Sequence, residues 1–136
     1  MYHRFNENKY PSTNIKMDIF HDQMEIIKSS GYEFYDPGSF VSEFEKPKNK
    51  KKILITIDDG FKSFYDNAWP YLKKNKIPFI LFVSTEPVGK YGYMTWNEIK
   101  EIEQSKLGYI GHHSHSHEYL IDMSEKEFTN DIETAT

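Results

Sequence analysis

Two short apolar runs constrain this chain more than anything else in it. Residues 53–57 read Ile-Leu-Ile-Thr-Ile and residues 78–83 read Pro-Phe-Ile-Leu-Phe-Val. Neither alternates regularly with polar residues. Each is therefore expected to be a strand covered on both faces, the habit of parallel sheets flanked by helices. Between them, residues 63–75 place Phe64, Ala68, Tyr71 and Leu72 on one helical face. Pro70 weakens the middle of that helix and moves its regular part to about Asn67 onward.

The rhythm continues downstream. Thr95 and Glu98 form a capping box that opens a helix running to about Gln104 and burying Ile99 and Ile102. A third strand is expected over 107–110, and Ser124 with Glu127 opens a last helix carrying Phe128 and Ile132. Upstream, residues 18–30 carry Ile19, Phe20, Met24 and Ile27 at helical spacing and stop at Gly31. His21 in that helix reads as a surface residue. Residues 2–5 form a short strand or a tethered end, residues 32–35 a short strand, and Ser39 caps one or two turns through Phe44. The β-then-α alternation predicts an α/β fold, whose active site lies at the C-terminal ends of the parallel strands.

Composition narrows the function. The 136 residues hold one modest domain, 1–136, with the lysine-rich segment 45–52 as a solvated loop. The net charge of -4 argues against a nucleic-acid surface, and Arg4 is the single arginine. The lack of cysteine excludes disulfides and thiolate metal sites. No apolar run approaches the roughly 18 residues of a membrane helix, and the first residues lack a signal-peptide core. Oligomeric state is left open.

Both chemically unusual clusters fall at strand ends. Asp58, Asp59 and Gly60 stop the first apolar run, and four histidines lie within residues 112–117. His113 and His117, four apart, converge on one ion if the segment turns back on itself. With one carboxylate they make a two-histidine, one-carboxylate set suited to zinc or iron(II), with a position left open for water. Adjacent acids at a strand end divide the labour, because consecutive side chains point different ways. One binds the metal and the other serves as base.

These residues carry a family resemblance. Thr56, Ile57, Asp58, Asp59 and Gly60 resemble the T-F-D-D-G motif of the NodB-type polysaccharide deacetylases, carbohydrate esterase family 4. Residues 113–117 match the family's H-[ST]-x-x-H motif, and Met94, Thr95 and Trp96 resemble the segment before the intervening helix. Residues 2–5, followed by a helix and then Gly31 and Tyr32, are similar to the poly-N-acetylglucosamine deacetylase branch. The resemblance implies that Asp59, His113 and His117 bind a divalent metal, zinc foremost. It makes Asp58 the base that activates water at the metal and Ser114 the hydroxyl that steadies the histidine loop. The implied reaction frees acetate from an N-acetylated polysaccharide, and the implied location is the cell envelope or outside, with the cytoplasm left open. His112 and His115 take no role and are read as loop residues.

The family's later motifs supply an arginine that orients the base and a histidine that protonates the leaving amine. No arginine follows Arg4 here and no histidine follows His117. The resemblance therefore implies the N-terminal portion of a distorted (β/α) barrel, with an exposed sheet edge and reduced stability or association in isolation. The competing expectation is a non-catalytic metal- or glycan-binding module.

Overall fold

The apolar run at 53–57 is divided between two strands. The structure, a computed structural model, describes residues 1–40, 42 and 51–136. Its elements run β1 (Arg4–Phe5), β2 (Asn14–Ile15), α1 (Met17–Ser29), β3 (Glu33–Phe34), β4 (Lys52–Ile53), β5 (Ile55–Asp59), α2 (Trp69–Asn75), β6 (Phe79–Val83), α3 (Trp96–Gln104), β7 (Gly108–His112) and α4 (Glu125–Ala135). Ile53 pairs with Phe34 in a small parallel β3–β4 sheet, whereas Ile55 begins the central sheet. Ser39, expected to cap the turns through Phe44, instead ends a short 3-10 turn, Pro37–Ser39, which Asp36 caps by accepting from Gly38 N at 3.0 Å. Residues 41 and 43–50, with most of the lysine loop, lie outside the described residues. Lys52, assigned to that loop from the sequence, is a strand residue.

The central sheet has the order β5-β6-β7, all parallel. Ile55, Phe79 and Gly108 lie in one row, and Asp59, Val83 and His112 in the last. Both chemical clusters therefore leave the same end of the sheet. The chain's beginning joins the other edge: Tyr2 N donates to Thr56 O at 2.9 Å, and Asp58 N donates to Tyr2 O at 2.8 Å.

One face of the sheet is sealed along β5 and β6, while Ile110 on β7, in register with Ile57 and Leu81, is exposed. Ile55, Ile57, Phe79, Leu81 and Val83 are buried with Phe5, Phe20, Met24, Phe64, Leu72 and Ile102. Each such side chain contributes roughly 1.5–3 kcal/mol when fully buried. The opposite face, with Thr56, Ile80, Phe82 and Tyr109, is half-buried, so the strands are not covered on both sides as their composition suggests. Ile19 faces water although it shares its helix with buried Phe20 and Met24.

Local chemistry explains the element ends. Pro70 lacks an N–H and occupies the first turn of α2, where none is needed. The preceding residues, Phe64–Ala68, form a π-turn closed by Trp69 N donating to Phe64 O. Both capping boxes form as expected, at Thr95 and at Ser124. Gly108 lets α3 lie against β7, because a Cβ there would collide with Ile102. In the last helix Phe128 is exposed, and the one buried residue of α4 is Asp131. Among the described residues no helix is long and apolar enough to cross a membrane.

Candidate metal centre

The end of β5 is bent so that two acids stay inside. Asp58 and Asp59 are 7% and 8% exposed. Asp59 takes a left-handed backbone, φ 75°, followed by Gly60 at φ 81°. A non-glycine residue held there costs about 1–3 kcal/mol and persists only where its surroundings impose it. Here Met94 N donates to Gly60 O at 3.0 Å and fixes the bend. Oδ1 of Asp58 and Oδ1 of Asp59 are buried without a hydrogen-bond partner among the described residues. Burial pushes the Asp58 carboxyl above its ordinary range and Asp59 adds to the rise, while His113, His3 and the N-terminal amine oppose it.

The histidine loop is held nearly residue by residue. His113 N donates to Val83 O at 2.8 Å, and Ser84 Oγ donates to His113 O at 3.0 Å. Thr85 N and Glu86 N donate to the carbonyls of Ser114 and His115. Ser114, buried at φ 62°, accepts from His117 N through Oγ at 3.0 Å, and His117 itself has φ 61°. The result is a tight turn whose two ends carry imidazoles pointing to one place.

That place is Asp59. His117 Nε2 lies 3.0 Å and His113 Nε2 3.5 Å from Asp59 Oδ1. One ligand atom from each of the three residues falls within 4.8 Å of the others. The two nitrogens approach a carboxylate oxygen that no aligned N–H satisfies, a poor arrangement for an ion pair and a fitting one for a shared cation. The donor set therefore fits a divalent metal. The Asp59 side chain is 11% exposed and those of His113 and His117 are 40% and 54%, so the cluster is anchored on one side and open on the other. It borders a cleft of about 590 Å³ lined in part by Tyr119, Leu120 and Ile132, and another of about 410 Å³ reaching Arg4 and Tyr93.

The structure brings Asp59, His113 and His117 together, sets Asp58 beside them on the same strand end, and places Ser114 beneath the loop. His112 ends β7 as an exposed strand residue, not a loop residue. His115 turns away, sharing a hydrogen bond of 2.8 Å between its Nδ1 and Thr85 Oγ1. Sequence reasoning missed Ser84, Thr85 and Asp131. Asp131 accepts from His115 N at 2.8 Å and from Ser116 N at 2.9 Å. Burial raises its carboxyl, but the Ser116 hydroxyl together with these two amides outweighs that and holds it below the usual range. Nothing in the local pattern marks it, since an acid on an amphipathic helix ordinarily faces water.

Comparison with known proteins identifies the family and the fold. The family model for polysaccharide deacetylase matches residues 45–136. Over 108 residues the chain is 30% identical to the poly-beta-1,6-N-acetyl-D-glucosamine N-deacetylase of Staphylococcus aureus strain MSSA476, covering 75% of this chain and 37% of that protein. The structure matches IcaB from Ammonifex degensii with a TM-score of 0.87 at 30% identity, covering 99% of this chain and 64% of that one. It matches the Streptococcus pyogenes deacetylase PplD, solved in complex with acetate, with a TM-score of 0.83 at 26% identity, covering 99% and 63%. The chain thus spans less than two thirds of each of these relatives, and its fold is a portion of the NodB-type deacetylase fold. With the family model matching well over half of its length, the chain belongs to the polysaccharide deacetylase family.

Proposed function

We propose that the chain carries the metal-binding and base-bearing part of an N-deacetylase acting on a polysaccharide that contains N-acetylglucosamine. The observation behind this reading is the convergence of Asp59, His113 and His117 on one point, with Asp58 buried alongside. Asp59 Oδ1 and the two Nε2 atoms would hold the metal, with zinc the first candidate for a two-histidine, one-carboxylate set. Bound there, the cation supplies Lewis acidity at the acetyl carbonyl and acidifies water.

The chain's own residues supply the rest. Asp58 Oδ1, buried and without a hydrogen-bond partner among the described residues, takes a proton from the water whose oxygen attacks the acetyl carbon. The C–N bond then breaks, acetate leaves, and the amine on the sugar takes up the proton that Asp58 holds. Tyr2 holds the Asp58 backbone by its carbonyl, so the base is fixed to the sheet rather than to a loop.

Acetate release from N-acetylglucosamine oligomers tests the reading, both for the chain as it stands and for a form extended beyond Thr136. Release in either form that disappears with Asp58→Asn, while zinc still binds, is the expected result. Zinc binding without acetate release in both forms would instead leave a non-catalytic metal- or glycan-binding module.

A further inference from the structure

The loop between the two ligand histidines is held from two sides. On the sheet side, Ser84, Thr85 and Glu86 meet the loop's carbonyls. On the other side stands α4, and its contribution is a single carboxylate. Asp131 Oδ1 accepts from His115 N and Oδ2 from Ser116 N, so each oxygen serves one of two successive amides. Successive backbone N–H groups in a bend that includes left-handed residues form a concave cradle for an anion. Here the flanking residues Ser114 and His117 are left-handed, and the cradle is filled from within the chain.

Asp131 is 6% exposed and is the one buried residue of α4. Its contact is therefore not incidental to apolar packing of that helix. Without it, two amides beneath the loop would lose their acceptors, and the bend that aims both imidazoles would lose its restraint on that side.

We propose that Asp131 is a positioning residue of the metal centre, whose carboxylate fills the amide cradle at His115 and Ser116 and holds His113 and His117 on Asp59. The inference rests on reading those three residues as metal ligands. It makes the affinity for metal depend on a side chain that never touches the metal.

Zinc titration by calorimetry, with four proteins, tests it. Asp131→Ala is expected to lower zinc affinity by about tenfold to a hundredfold, the range for residues that orient ligands. Added formate, entering the vacated cradle, is expected to restore part of that affinity. In Asp131→Asn the amide occupies the cradle and turns an NH2 toward a backbone N–H, so affinity falls and formate does not restore it. Ser124→Ala weakens the start of α4 without touching the cradle and should bind zinc nearly as the unsubstituted chain does. Unchanged affinity in both Asp131 variants, or an equal loss in Ser124→Ala, would overturn the proposal. Should the unsubstituted chain bind no zinc, the metal reading fails by itself. The cradle is then judged by hydrogen exchange in metal-free protein: faster exchange of the His115 and Ser116 amides in Asp131→Ala supports it, and unchanged rates overturn it.

Discussion

Helices α3 and α4 begin in the same way and are held by opposite means. At the start of α3, Thr95 N donates to Glu98 Oε2 at 2.8 Å and Glu98 N to Thr95 Oγ1 at 3.4 Å. At the start of α4, Ser124 N donates to Glu127 Oε2 at 2.9 Å and Glu127 N to Ser124 Oγ at 3.4 Å. Beyond the first turn they diverge. Ile99 and Ile102 pin α3 to the core, whereas α4 leaves Phe128 exposed and buries Asp131. One helix is anchored by area removed from water, the other by a carboxylate set against the backbone of the histidine loop. Local start signals fix where a helix begins, and they do not say what it will be for.

The widest separation between the two helices comes from their anchors. Ile102→Ala should cost about 2–5 kcal/mol of stability, as for other large-to-small core changes, while zinc affinity of the remaining folded protein stays the same. Denaturant unfolding followed by zinc titration checks both halves. Asp131→Ala should cost less, about 1–3 kcal/mol for a buried charged acceptor of two amides, yet it should be the one that weakens zinc. If Ile102→Ala weakened zinc as much, the division between the helices would collapse.

Smaller effects sharpen the likeness. Thr95→Ala and Ser124→Ala should each cost about 1 kcal/mol by thermal unfolding, because the caps are matched in geometry. The smallest effect is electrostatic. Burial raises the Glu98 carboxyl, but the Lys62 ammonium and the Thr95 N–H and hydroxyl outweigh it and leave Glu98 below its ordinary range. A lowered folded-state pKa gives stability above the unfolded-state value, and that stability is lost as pH falls through the folded-state value. Glu98→Gln should therefore flatten the loss of stability in acid, by no more than about 1 kcal/mol after solvent screening. An unchanged acid profile would remove Glu98 from the account.

Much of this was legible in the sequence where chemistry is local. The run ending at Asp58 and Asp59 announces a buried strand with acids at its tip, and Thr95 with Glu98 announces a helix start. The convergence of His113 and His117 on one point is legible once the segment is assumed to turn back. The remainder depends on contacts between distant residues. The left-handed bend at Asp59 is imposed by Met94 on Gly60, and the division of the apolar run at Leu54 follows from Phe34 claiming Ile53. Asp131 carries no sequence signal and gains its role only where the fold sets it against residues 15 and 16 positions earlier. That α4 leaves Phe128 exposed and turns its acid inward is visible only in the fold.

The central claim is that Asp59, His113 and His117 form one metal site, with His112 a bystander despite its place beside a ligand. Calorimetric zinc titration of the metal-free chain tests it most directly. One zinc per chain, lost in Asp59→Ala and in His113→Ala and kept in His112→Ala, is the predicted result. Full affinity in both ligand variants, or a loss in His112→Ala equal to theirs, would contradict it.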